Sequence, residues 1–187
     1  MSSKLGVQNI AHTNGTNAMT IASDGATAFT SDPFNSVVET FYFHTGAKSE
    51  SNGAVLDQTW YRQTDNGTAN KNGGMSASSG IWTFPSTGIW QVTMLYQFYV
   101  SAASTNKGVT LRHTPDNGSN HNNVISMYSN VYASSAHDNI TLPWTFNITN
   151  TSNQKISYTV AGDNTTIAGG SGVHSTKIQF IKLCPSV

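Results

Sequence analysis

Residues 89–100, Ile-Trp-Gln-Val-Thr-Met-Leu-Tyr-Gln-Phe-Tyr-Val, narrow the possible folds more than any other stretch of this chain. Trp90, Val92, Met94, Tyr96, Phe98 and Val100 occupy every second position. Successive side chains of a strand point to opposite faces, so this set shares one face of a sheet. A helix would scatter the same residues around its axis. A sheet face this apolar has to be covered by a second layer, which predicts a two-layer β architecture.

The pattern recurs in Ile140–Ile148, with Ile140, Leu142, Trp144, Phe146 and Ile148 pointing inward. Pro143 interrupts it and cannot donate a ladder hydrogen bond, so this strand is expected to run along an edge or to carry a bulge. Further strands are predicted at Val38–His44, Thr59–Arg62, Gly80–Phe84, Gly108–His113, Asn123–Tyr132, Lys155–Ala161 and Ser175–Leu183. Turn-forming clusters separate them, among them Asp65-Asn66-Gly67, Asn72-Gly73-Gly74, Asp116-Asn117-Gly118 and Ala168-Gly169-Gly170. Short strands at this spacing, without helical periodicity, predict an all-β sandwich or barrel. No internal repeat is present.

Residues 1–32 read differently. They hold no aromatic before Phe29 and carry two short β-like pieces, Leu5–Ile10 and Ala18–Ala22, beside turn chemistry at Asn14-Gly15 and Asp24-Gly25. Asp32-Pro33 closes the segment, because a residue before proline is pushed into extended or turn geometry. The expected organisation is an extended N-terminal arm, 1–32, and one β domain, 33–187.

Composition decides which partners to expect. Only 10% of residues are charged and the formal net charge is +0, so the clustered Lys/Arg of a nucleic-acid binder is missing. No apolar run approaches the roughly 20 residues of a membrane-spanning helix. Ser, Thr and Asn make up more than a third of the chain. Eight Phe, seven Tyr and four Trp nevertheless supply enough apolar surface for a folded core. The first ten residues lack the apolar stretch of a secretory signal. Cys184 is the single cysteine, which excludes an intrachain disulfide and a cysteine-built zinc cluster. It is expected to be a small, buried or half-buried residue.

Nothing in the pattern suggests catalysis. The acidic residues are scattered, mostly in turn sequences where they form turns, and the two glutamates, Glu39 and Glu50, sit in no motif. His12, His44, His113, His121, His137 and His174 make no metal-ligand spacing, although His113 and His121 flank one loop and can approach each other. That loop, Thr114–Asn123, offers oxygen ligands without the spacing of a calcium loop. Seven Asn-x-Ser/Thr sequons, at Asn14, Asn66, Asn117, Asn139, Asn147, Asn150 and Asn164, are expected from a chain this rich in the three residues and to carry no glycan. No cofactor and no metal are expected.

The stretch Ser79-Gly-Ile-Trp-Thr-Phe84-Pro-Ser-Thr-Gly88-Ile-Trp90 resembles the C1q/TNF-like family, where a short strand turns through Phe-x-x-x-Gly-x-aromatic into a long aromatic strand. Thr176–Leu183 is similar to that family's closing strand. Gly88 has a physical reason to be there, since the turn needs positive φ or close backbone approach. The resemblance implies a jelly roll of about ten antiparallel strands over residues 33–187. It also implies a homotrimer in which the sheet holding the long aromatic strand and the closing strand faces the threefold axis. The outward positions on those two strands, Leu95, Gln97, Tyr99, Gln179, Ile181 and Leu183, are then the expected trimer interface.

In the N-terminal segment, Asn14-Gly-Thr16, Met19-Thr-Ile21 and Asp24-Gly25 are similar to β segments that open many phage fibre and capsid-accessory proteins. The function expected is a non-enzymatic virion protein, assembled in the host cytoplasm: a trimeric capsid decoration, or cement, protein. Leu5, Val7, Ile10, Met19 and Ile21 would fasten it to the major capsid protein or another virion protein. The alternatives are the head of a tail fibre reading a host glycan and a secreted C1q-like binding module.

Overall fold

The computed structural model describes residues 9–11, 17–21, 27–29, 37–43, 48–57, 59–64, 73–101, 103–132, 134–162, 165–169 and 175–186. The chain divides into two compact units, Met1–Ser36 and Val37–Val187. In the first, β1 (Asn9–Ala11), β2 (Asn17–Ile21) and β3 (Thr27–Phe29) form an antiparallel meander. Two isolated β pieces were the expectation, and β3 is the addition. Asn14-Gly15 and Asp24-Gly25, pairs that favour hairpin closure, lie in the sequence between its strands.

The second unit is a sandwich of two antiparallel sheets. Its strands are β4 (Val37–Phe43), β5 (Lys48–Glu50), β6 (Trp60–Arg62), β7 (Ser76–Ser78), β8 (Ile81–Thr83), β9 (Gly88–Val100), β10 (Ser104–Thr114), β11 (Asn122–Val131), β12 (Ala136–Ile148), β13 (Lys155–Ala161), β14 (Thr165–Ile167) and β15 (Lys177–Cys184). One sheet runs β5-β14-β9-β15-β4-β6, with β12 along the other side of β9, and the second runs β11-β10-β13-β8-β7. No helix occurs among the described residues. The short strands β5 (Lys-Ser-Glu), β7 (Ser-Ala-Ser) and β14 (Thr-Thr-Ile) carry no aromatic to mark them, unlike the equally short β6 and β8 with their tryptophans, and so are not legible in the sequence.

β9 is the organising strand. It pairs with β12 from Gly88 to Val100, with β15 from Ile89 to Leu95, and with β14 at Phe98 and Tyr99. Its even-numbered residues are all buried, as the alternation demands. They meet an aromatic cluster in which Trp82 lies 4.9 Å from both Phe41 and Phe180, and Phe84 lies 5.3 Å from Trp90. Each such ring buries on the order of 150–250 Å², which makes these side chains the main source of sandwich stability. At Gly88 (φ 151°) a Cβ would come within 2.5 Å of Lys182 Cε and 2.7 Å of the Cys184 carbonyl oxygen, so close approach demands glycine there. Ser79 and Gly80, both at positive φ, close the two-residue β7–β8 hairpin in the manner that suits strand twist.

Two expectations are corrected. Trp144 lies at an inward position of β12 yet is 38% exposed, whereas Leu142, Phe146 and Ile148 are buried. Among the described residues β12 pairs only with β9 and forms the sheet edge, where an inward side chain has packing partners on one flank alone. Its register with β9 is continuous, so Pro143 is accommodated by the edge position and not by a bulge. Cys184 is exposed instead of buried or half-buried. The β15–β9 register slips between Lys182 and Cys184, which turns the strand's last residues away from the core.

Candidate assembly face

The outward face of the seven-stranded sheet is built by the odd-numbered residues of β9, β15 and β12. Leu95, Gln97 and Tyr99 share it with Gln179, Ile181 and Leu183, so all six expected interface residues stand on one surface. They do not sit directly opposite one another. Lys177 pairs with Leu95, Gln179 with Thr93, and Ile181 with Gln91. Tyr99 faces Thr166 of β14 on one side and His137 of β12 on the other. The eight steps from Gln91 to Tyr99 span about 27 Å of strand, so the six form a stripe along the sheet and not a single spot.

Two further strands complete the surface. β4 places Val38, Thr40 and Tyr42 opposite Ile181, Gln179 and Lys177. Tyr42 stacks on Tyr61 of β6, with ring centroids 6.2 Å apart and 25° between planes. These positions are legible in the alternation of Val38–His44. Thr40, Gln63, Thr93, Leu95, Lys177 and Gln179 surround a shallow cavity of about 330 Å³ at the centre.

The chemistry of this surface is uniform. Across β4, β9 and β15, Lys177 is the one outward residue with a formal charge; the rest are aliphatic side chains, tyrosines, threonines and glutamines. Depletion of charge with retained aromatics characterises the buried centre of protein–protein interfaces. The amides have local order: Gln97 Nε2 donates to Asn139 Oδ1 at 2.9 Å. Tyr99 packs against His137 at 5.1 Å. Leu183, at the far end of the stripe, is 46% exposed.

The other candidate sites resolve less favourably. His113 stacks on Phe146 at 5.7 Å, where burial lowers its pKa below the usual imidazole range. The His121 carbonyl oxygen instead accepts from Arg112 Nη2 at 3.4 Å. Among the described residues no three His, Cys, Asp or Glu side chains are grouped to hold a metal. In the Thr114–Asn123 loop, Asp116 accepts from the Thr114 hydroxyl and the Asn120 backbone N–H at 2.9 and 2.8 Å, and from the Asn120 side-chain amide. Those bonds, the Asn120 backbone first, hold its carboxyl below the ordinary carboxylate range. The carboxylate is spent on closing its own loop.

Of the five expected attachment residues, Leu5 and Val7 lie outside the described residues. Ile10 pairs with Met19 across β1 and β2, and Met19 pairs in turn with Phe29 of β3. Met19 and Ile21 are half-buried and, two residues apart, share one face of β2.

No protein-family profile matches this chain, and no curated protein sequence does either. Solved structures do. An Eiger TNF from S. frugiperda superposes with a TM-score of 0.64 at 15% identity, covering 83% of this chain and 96% of that one. Murine APRIL at pH 8.0 superposes with a TM-score of 0.57 at 15% identity, covering 80% of this chain and 100% of that one. The sandwich is therefore a TNF-like jelly roll, as the Gly88 turn and the closing strand led us to expect.

Proposed function

We propose that the chain is a non-enzymatic, homotrimeric structural protein of a virion, whose trimer closes through the outward face of the seven-stranded sheet. The observation that carries this reading is the charge-poor stripe from Leu183 to Tyr99, widened by Val38, Tyr42 and Tyr61. Closed threefold symmetry covers such a face on every copy and leaves no open ends. The TNF-like fold supports the same choice of sheet, through the family resemblance of β9 and β15.

Within the virion we assign the chain to the capsid surface, as a decoration protein fastened through residues 1–32. The chain's two compact units, Met1–Ser36 and Val37–Val187, divide close to the end of that segment, which fits one unit for attachment and one for assembly. The second reading, a tail-fibre head, keeps the same trimer and differs only in where it is mounted.

Light scattering tests the assembly. At micromolar concentration the 20.0 kDa chain is expected to run at three times its mass. Leu95→Arg or Ile181→Arg, each placing three cations in the stripe, should return it to the monomer with an unchanged β-sheet spectrum. A stable wild-type monomer sinks the trimer. Imaging particles that carry this chain then decides between the mountings: density on the shell supports decoration, and density at a tail tip supports the fibre head.

A further inference from the structure

A cavity of about 280 Å³ opens beside the aromatic cluster, away from the stripe, where β6, the segment before it and the β7–β8 hairpin converge. Trp60 forms one wall, with Trp82 beneath it and Asp57, Thr59, Ala77 and Ser79 around the mouth. Trp60 is half-buried, whereas Asp57, Thr59, Ala77 and Ser79 are exposed and Trp82 is fully buried. The site thus combines a flat aromatic surface with a rim of one carboxylate and two hydroxyls.

The walls are held in place before any ligand arrives. Trp60 Nε1 donates to the Leu56 carbonyl oxygen at 3.4 Å, while Phe43 and Trp82 meet its ring edge-to-face at 5.5 and 5.6 Å. The Asp57 and Leu56 backbone N–H groups donate to the Val55 and Tyr158 carbonyls at 2.8 and 2.9 Å. Across the mouth, Gly80 packs so tightly that a Cβ would approach Val55 Cγ1 to 2.6 Å and the Leu56 carbonyl oxygen to 2.7 Å, which pins the hairpin carrying Ser79. Fixed walls lower the ordering cost of binding.

We propose that this cavity binds one pyranose ring of an uncharged glycan. An indole face suits the apolar C–H side of a sugar ring, and a carboxylate can accept from two neighbouring hydroxyls at once. At about 280 Å³ the volume lies just below the usual range for ligand pockets, which suits a single ring. Charge separates this ligand from its rivals. Lys48 Nζ lies 3.7 Å from Asp57 Oδ1, so an organic cation approaching that carboxylate also meets a like charge. An anion would meet the Asp57 carboxylate with Lys48 already engaged by Glu50 at 2.5 Å. The site lies within one chain and does not depend on trimer formation.

The test is a titration of the ¹⁵N-labelled full chain with methyl glycosides of glucose, galactose, mannose and N-acetylglucosamine, with tetramethylammonium chloride and sodium phosphate alongside. The Trp60 indole N–H and the Gly80 amide serve as reporters. A saturable shift of both signals is expected with at least one glycoside in the millimolar range, and none with the two ions. Trp60→Ala risks unfolding β6, so the deciding variants lie at the exposed rim. Ala77→Tyr should fill the mouth and abolish the shift, and Asp57→Asn should weaken binding about tenfold. The proposal is overturned if no glycoside moves the reporters, if an ion moves them instead, or if Ala77→Tyr binds as tightly as the wild type.

Discussion

The ion pair under β6 gives the sharpest quantitative test of how this sandwich is held together. Glu39 projects from β4 into the core at 0% exposure. Its Oε2 accepts the Met75 backbone N–H at 2.7 Å, and its Oε1 meets Arg62 Nη2 at 2.6 Å, off the hydrogen-bonding axis. Arg62 is 37% exposed, and its guanidinium lies 5.6 Å from the Phe41 ring centroid. The two partners are therefore not equivalent. Arg62→Ala strands a buried carboxylate with one backbone donor, a change that costs about 3–5 kcal/mol in fully buried pairs. Water can enter where the exposed guanidinium stood, so the lower end, about 3 kcal/mol, applies here. Glu39→Gln keeps the shape and leaves a guanidinium that can hydrate, for about 1 kcal/mol. At about 2–4 °C per kcal/mol for a domain of this size, Arg62→Ala should lower Tm by about 6–12 °C and Glu39→Gln by about 2–4 °C. Melts must be compared at one protein concentration, because assembly itself raises Tm. If Glu39→Gln proves the more damaging, the asymmetric burial of the pair does not govern its energetics and this reasoning fails.

Three further outcomes follow from particular residues. Phe98→Ala should cost about 3–5 kcal/mol in urea unfolding and Trp144→Ala less than half as much, since Phe98 is fully buried and Trp144 is an edge residue; equal losses would mean that β12 is covered on both flanks. Burial depresses the His113 pKa, so the unfolded chain takes up its proton first, and the stability this withholds is present above about pH 6.5 and lost as pH falls toward the folded value. His113→Gln should flatten the difference in Tm between about pH 7 and pH 5, and an unchanged slope would assign that dependence to other groups. A chain beginning at Pro33 should still fold and trimerise but no longer join particles; equal decoration by both forms would move the attachment site onto the jelly roll.

The strand alternation carried a long way, and where it stopped has physical causes. β9 and β15 were readable because each is flanked by other strands and packs one face on the core, so period-two burial runs the whole of β9 and through Lys182 of β15, whereas β13 is buried on both faces beyond Lys155. At Trp144 the same rule failed, because alternation reports which way a side chain points and not whether anything lies there to cover it. Glu39 was invisible for a related reason. A carboxylate in a strand is ordinarily read as an outward residue, and only the arrival of Arg62 from β6 and the Met75 N–H makes its burial tolerable. Both partners come from distant points in the chain, so no local pattern could announce them. The assembly stripe lay between these cases. Its residues followed from parity once the family resemblance had pointed to the sheet, but their offset depends on β15 meeting β9 at Lys177–Leu95, a register that hydrogen bonding fixes and composition does not. The pyranose cavity had no sequence signature at all. Trp60 and Trp82 fell within predicted strands, Thr59 opened one of them, and Asp57 and Ser79 fell between strands. Only the fold brings an aromatic wall and a polar rim to one opening. The rim residues Asp57, Thr59 and Ser79 can therefore vary without disturbing the alternation that specifies the jelly roll, whereas Trp60 and Trp82 serve the core and the cavity together, so variation in ligand preference is expected at the rim and not at the walls.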